Sequence, residues 1–310
     1  MSAVIVDHIH KSYGAKKQQV TALQDISFSV APGELFGIIG PDGAGKTSLF
    51  RILTTLLLAD SGSATVAGLD VIKDYKAIRK CVGYMPGRFS LYPDLTVAEN
   101  LDFFATIFNT TVKENYHLIK DIYQQIEPFK DRRAGKLSGG MKQKLALSCA
   151  LIHQPSVLFL DEPTTGVDAV SRKEFWEMLG GLKAKGITIL VSTPYMDEAS
   201  RCDRVALMQT GRLMQVNTPL AITQQFGNPI WAVKSADMLA LLQMLKALPE
   251  VEDAYPFGEY HHMVLHKGAS LPELPSTITS VEITADIEDC FMALMRHHAR
   301  DEASLKNINS

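Results

Sequence analysis

Gly40-Pro41-Asp42-Gly43-Ala44-Gly45-Lys46-Thr47 is the stretch on which the reading of the whole chain turns. It satisfies the pattern G-x-x-x-x-G-K-[ST] at every fixed position. The apolar run Leu35-Phe36-Gly37-Ile38-Ile39 before it reads as a buried strand. Ser48-Leu49-Phe50-Arg51-Ile52-Leu53 after it is apolar at helical spacing. A glycine-rich loop in that setting turns its backbone N–H groups inward, and the helix N-terminus adds positive potential. Gly40 to Thr47, with Ser48, are therefore the candidate phosphate-binding residues. Lys46 would reach the β- and γ-phosphates of a nucleoside triphosphate, and the Thr47 hydroxyl would ligate Mg²⁺.

Working outward, a second element completes the chemistry. Val157-Leu158-Phe159-Leu160-Asp161-Glu162-Pro163 is an apolar strand that delivers two carboxylates at its C-terminal end, where ligands bind in α/β sheets. Asp161 is the second candidate Mg²⁺ residue. Glu162, aimed at the attacking water, is the candidate catalytic residue.

Val4-Ile5-Val6 and Ile26-Ser27-Phe28-Ser29-Val30 read as strands of an opening antiparallel sheet. Tyr13 lies between them. With the phosphate loop downstream, its ring is a candidate for stacking on an adenine. A strand within Asp60–Gly68, a short helix from Asp74 to Cys81 and a strand Val82–Met85 ending at Pro86 follow. From Phe89 to about Ala150 the pattern turns mostly helical, with helices expected at Val97–Phe108, Tyr116–Ile126 and Lys142–Leu151. Ser138 is a plausible N-cap at the head of the last, and Gly139 and Gly140 expose backbone N–H groups after it. Beyond the carboxylates come a helix from Ser171 to Leu182, a buried strand Ile187–Ser192 and a closing hairpin that begins at Arg204.

Bulk properties bound the rest. The 310 residues suffice for one large domain, or a large and a small one, and a net charge of −3 gives no global basic excess, so no nucleic-acid partner is expected. Cys81, Cys149, Cys202 and Cys290 are scattered without paired metal spacing, which favours a reducing compartment. The first residues lack the layout of a signal peptide. No apolar run approaches the ~18 residues that would cross a bilayer. Any membrane role is expected to run through a partner.

The ordered set of phosphate loop, Leu137-Ser138-Gly139-Gly140-Met141 and the apolar strand ending Asp161-Glu162-Pro163 resembles the ATP-binding cassette ATPases, the engines of ABC transporters. The likeness covers roughly residues 1–226. It implies an α/β fold: a P-loop NTPase cassette with a RecA-like core, an antiparallel β subdomain and a helical subdomain over about 89–150. It also implies ATP and Mg²⁺ as ligands, a second cassette stacked head to tail, and a separate membrane-spanning transporter subunit. The chain would then be cytoplasmic and peripheral at the inner membrane. In that family Ser138, Gly139 and Gly140 would serve the ATP of the partner cassette, and Asp168 would lie in the loop that crosses the seam. The wording Lys136-Leu137-Ser138-Gly139-Gly140-Met141-Lys142-Gln143 and Tyr195-Met196-Asp197-Glu198-Ala199 is most similar to exporter ATPases, particularly the first cassette of bacterial tandem-cassette exporters.

Two positions depart from the family pattern. The strand Gly83-Tyr84-Met85-Pro86 is normally followed by a glutamine, and here by Gly87. The strand ending Val191-Ser192-Thr193 normally leads into a histidine that contacts the γ-phosphate, and here into Pro194, which has neither a ring nitrogen nor a backbone N–H. The chain's own site is thus expected to bind ATP and to turn it over slowly, while the signature segment remains intact. Asp42, where asparagine is usual, sets a carboxylate near phosphate. A homodimer that tolerates both losses, a non-hydrolysing regulatory cassette and a soluble non-transport cassette remain as alternatives. The apolar surface around Phe89-Ser90-Leu91-Tyr92-Pro93 is the expected contact with the membrane subunit.

After Phe226 the character changes. Interleaved strands and helices over 227–300 suggest a small α+β domain, and 301–310 a polar tail. The histidines at 261, 262, 266, 297 and 298 are expected to be ordinary surface or edge residues rather than metal ligands.

Overall fold

The computed structural model describes residues 2–14, 19–87 and 91–296. They fall into two compact units that divide between Pro219 and Leu220.

The first unit carries two sheets. Strands β1 (Val4–Tyr13) and β2 (Val20–Val30) form a long antiparallel pair. β3 (Leu35–Ile39) is buried along its whole length, as an uninterrupted apolar run predicts for an interior parallel strand. It feeds the glycine loop and helix α1 (Lys46–Leu53). β4 (Ser61–Val66) and β5 (Leu69–Asp70) complete a four-stranded sheet of order β2-β1-β4-β5. Helix α2 (Tyr75–Cys81) leads into β6 (Val82–Met85).

The helical insertion contains α3 (Val97–Ile107), α4 (Val112–Tyr123) and α5 (Gly139–Leu151). Helix α4 starts four residues before the expected Tyr116. The reason is a capping box: the Thr111 hydroxyl accepts from the Glu114 amide and the Glu114 carboxylate accepts from the Thr111 amide. That T-x-x-E pattern is the signal the apolar periodicity alone missed. Likewise α6 (Ala169–Ala184) starts before Ser171, because Asp168 caps it by accepting from the Val170 and Ser171 amides.

Strands β7 (Val157–Asp161), β8 (Thr188–Thr193), β9 (Arg204–Gln209) and β10 (Arg212–Asn217) finish the second sheet. Its order is β10-β9-β3-β8-β7-β6, parallel except for the β9–β10 hairpin. β8 therefore lies between the strand that feeds the loop and the strand that carries the carboxylates. Phe36, Ile38, Leu49, Phe50, Phe159 and Leu190 are core residues of this unit.

The second unit begins within α7 (Pro219–Gln224). It holds β11 (Ile230–Lys234), α8 (Met238–Ala247), β12 (Val251–Phe257), β13 (Tyr260–Leu265), β14 (Thr279–Ile283) and a helix α9 over 287–296. The sheet is antiparallel, of order β12-β13-β11-β14. Here the histidine expectation needs correction. His261 and His262 are buried on an interior strand. His261 Nε2 lies 2.7 Å from the Met238 carbonyl oxygen, and His262 Nδ1 lies 2.6 Å from the buried Asp289 Oδ1. Tyr255 donates to the same Asp289 oxygen at 2.7 Å, so Tyr255, His262 and Asp289 are bonded to one another as a structural network. His266 is exposed, and His297, His298 and residues 301–310 lie outside the described residues.

Candidate nucleotide site

The glycine loop is shaped by close approach. A Cβ on Gly40 would stand 2.0 Å from the Met208 carbonyl oxygen. One on Gly45, at φ +105°, would stand 2.4 Å from that of Ala22. No side chain fits at either place, which is why the backbone can bend tightly here. The loop is anchored on both sides: Gly40 N–H donates to Thr193 O, and Ala44 O accepts from Gly211 N–H.

Lys46 is buried, with 3% of its surface exposed. Its Nζ donates to the carbonyls of Gly40 (2.7 Å) and Pro41 (3.1 Å) and stands 3.1 Å from Glu162 Oε1. The sequence placed these two residues 116 positions apart, and the sheet order brings them into one ion pair. Thr47 Oγ1 donates to Asp161 Oδ1 at 3.2 Å. A hydroxyl and a carboxylate so placed form an all-oxygen donor pair, the chemistry that Mg²⁺ prefers beside a phosphate. The residues present therefore fit that ion. Among the described residues no cluster of three or more His, Cys, Asp or Glu could hold a metal by itself.

Glu162 has φ +49°, a left-handed conformation uncommon outside glycine. Its amide is held by Ser192, donating to both the carbonyl and the hydroxyl oxygen at 3.0 Å. Ser192 Oγ donates in turn to Asp161 Oδ1 at 2.6 Å. Next along β8, Thr193 Oγ1 turns to the other face and donates to Glu198 Oε2 at 2.5 Å, which also accepts from Thr164 at 3.2 Å. Sequence reasoning passed over Ser192, Thr164 and Glu198. The one available signal was a pair of hydroxyls at the end of an otherwise apolar strand. Tyr84 on β6 is also close: burial first, and then the Asp161 charge, push its hydroxyl up to about 12.

The two departing positions adjoin this cluster. A Cβ on Gly87 would be 3.0 Å from the Asp161 carbonyl oxygen and 3.6 Å from the Glu162 Cβ. Pro194 directly follows Thr193, whose carbonyl holds the loop at Gly40. Tyr13 is 40% exposed, with its hydroxyl 3.0 Å from Ser48 Oγ, so an aromatic face stands beside the first turn of α1.

Ser138, Gly139 and Gly140 are brought to a different neighbourhood. Ser138 caps α5 by accepting from the Met141 amide at 3.4 Å. A Cβ on Gly140 would meet Ser171 Oγ at 2.7 Å, and one on Gly139 would be 3.6 Å from Gly166 O. The helix is fastened to the carboxylate strand's exit by Gln143, whose amide donates to the Pro163 carbonyl. Asp168 is held below the ordinary carboxylate range, chiefly by the Ser171 amide.

Two cavities lie elsewhere in the first unit, the second of them bordering the cluster at Tyr84. One of about 810 Å³ is lined by residues including Ala3, Pro32, Val157 and Thr188, at the ends of β7 and β8 opposite Asp161 and Thr193. The other, about 270 Å³, is apolar and is lined by Leu56, Tyr84, Met85, Leu91, Phe104 and Phe108 among others. Phe89 and Ser90 lie outside the described residues.

A buried lysine in a strand–loop–helix cradle, facing paired carboxylates across a parallel sheet, defines a P-loop nucleotide-binding domain. The family model for ABC transporters matches residues 23–165. The chain is 40% identical over 296 residues to the probable multidrug ABC transporter ATP-binding protein YbhF of Escherichia coli, a match covering 93% of this chain and 51% of that protein. The chain thus spans about half the length of that relative. It is also 35% identical over 316 residues to the Nod factor export ATP-binding protein I of Paraburkholderia xenovorans, covering 97% of this chain and 99% of the relative. A solved ATP-binding subunit of an ABC transporter superposes with a TM-score of 0.64 at 28% identity, over 73% of this chain and 94% of that one. The chain belongs to the ABC transporter ATP-binding family, and the family match lies within its first unit. Among the described residues no helix is long and apolar enough to cross a membrane.

Proposed function

We propose that this chain is the ATP-binding subunit of an exporter, holding Mg²⁺ and ATP at its own phosphate loop and passing the resulting motion to a separate membrane-spanning subunit. The observation that carries this reading is the convergence of Lys46, Thr47, Asp161 and Glu162 at the ends of β3 and β7. Lys46 would exchange Glu162 for the β- and γ-phosphates. The amides of Gly43 to Thr47 would cradle the phosphate oxygens, and Tyr13 would lie against the adenine. Thr47 and Asp161 would hold Mg²⁺, which supplies charge neutralisation between the phosphates. Glu162, released from the lysine, would orient the attacking water. The exporter assignment is supported by the relatives named for multidrug and Nod factor export.

The chain's own site is degenerate on this reading. Position 87 offers no side chain beside the carboxylates, and Pro194 offers no donor to a γ-phosphate. A positioned acid, base or donor is worth about 10²–10⁴ in rate. ATP would accordingly stay bound for long periods, while Ser138, Gly139 and Gly140 complete the site of a second cassette stacked head to tail, of the same or a different chain. Gly87 and Pro194 equally favour a second reading, a regulatory cassette that does not hydrolyse at all. The membrane subunit would seat its cytoplasmic helices in the apolar cavity at Leu91, Phe104 and Phe108, and the assembly would then lie at the cytoplasmic face of the inner membrane.

Calorimetric titration with Mg·ATP tests the site. Wild-type protein is expected to bind with saturation below millimolar nucleotide, and Lys46→Ala to bind about 100-fold more weakly, the loss of charge-assisted bonds to phosphate. Equal affinities would remove the phosphate loop from the account.

A further inference from the structure

Ser192 has no role in the reading above, yet it occupies the position that joins the two carboxylate residues. Strand register puts it opposite Asp161 on β7 and opposite Ile38 on β3, in the middle of the sheet. It is fully buried. In an apolar strand such as Thr188-Ile189-Leu190-Val191-Ser192-Thr193, a buried hydroxyl persists at a cost unless it is bonded at both its donor and acceptor positions. Here it is. The proton goes to Asp161 Oδ1 at 2.6 Å and a lone pair takes the Glu162 amide at 3.0 Å.

We infer that Ser192 is a positioning residue for the metal: its hydroxyl orients the Asp161 carboxylate toward the ion and pins the backbone from which Glu162 projects. Three features of the geometry carry this. First, Thr47 and Ser192 both donate to the same oxygen, Asp161 Oδ1. When the Thr47 oxygen turns its lone pair to a cation, Ser192 is the donor left to fix the carboxylate's rotation. Second, the Ser192 bond is the shorter of the two and is closed to solvent, so water does not replace it. Third, the Glu162 backbone sits at φ +49°, a conformation that a residue other than glycine adopts only when its surroundings hold it. Ser192 holds it through both its carbonyl and its hydroxyl. Groups that orient a metal's ligands typically change metal affinity by about 10–100-fold when removed. The neighbouring Thr193 does not substitute, because alternation along the strand turns its hydroxyl to Glu198.

This inference rests on the proposed Mg²⁺ and ATP site, and its test separates the two. ATP affinity would be measured by calorimetry across a series of free Mg²⁺ concentrations, and once in excess chelator, for wild type and Ser192→Ala. The expected result is a Mg²⁺ midpoint raised about tenfold in the variant. Affinity for metal-free ATP, which depends on the loop amides and Lys46, stays within twofold. A Mg²⁺ midpoint within twofold of wild type overturns the role assigned to Ser192. So does an equal loss with and without the metal, which would mark a packing residue. Wild-type binding that ignores Mg²⁺ altogether overturns the inference together with the metal site beneath it.

Discussion

The phosphate loop and the signature segment are both glycine-rich helix starts in the same unit, yet they are built for different neighbours. At Gly40–Thr47 the backbone is wedged against the carbonyls of Ala22 and Met208, and a buried lysine and two carboxylates from another strand converge on it. At Ser138–Gly140 the helix start rests on the turn Gly166–Ser171. In the one the site chemistry lies within the chain. In the other Ser138 and Gly139 are exposed at the helix start, and no strand among the described residues delivers a carboxylate or a lysine beside them, which is the arrangement proposed above to serve a second molecule. The lesson is that two helix N-termini of like composition are told apart by which strands end beside them.

Each half of that comparison can be broken separately. The largest effect is expected from Pro194→His, which restores an imidazole where the family pattern has one. If the missing donor limits the chain's own site, steady-state ATP turnover should rise by about 10²–10⁴. An unchanged rate would move the defect to Gly87 or elsewhere. Next is Ser138→Arg, which fills the signature surface without touching the loop. ATP affinity of the isolated chain should stay within twofold, while turnover in the presence of a competent second cassette should fall about 100-fold, as when a positioned donor to a transition-state oxygen is lost. Loss of affinity in the isolated chain would mean that the two glycine segments are not functionally separate.

Much of this was legible in the residues, for a physical reason. The loop Gly40–Thr47, the strand into it and the Asp161-Glu162 pair are local patterns, and local patterns survive in the order of residues. The helix of α5 and its Ser138 cap were readable on the same ground. What the sequence could not display is what the sheet order creates. The Lys46–Glu162 ion pair, the Ser192–Asp161 bond and the Thr164–Glu198 bond join residues 31 to 116 positions apart, which only the fold makes neighbours. The start of α4 was misjudged because its first turn is specified by Thr111 and Glu114 rather than by apolar spacing. His261 and His262 were misjudged because β13 is interior to its sheet, a fact of strand order that no local window contains.

The central claim is that this chain grips ATP and cleaves it slowly by itself. A single-turnover assay of the purified chain, with Mg·ATP bound at its own site and phosphate release followed over time, addresses it directly. The account predicts stoichiometric ATP that persists over many minutes, with Glu162→Gln changing the small residual rate but not the amount bound. Rapid release of phosphate, abolished by Glu162→Gln, would contradict it.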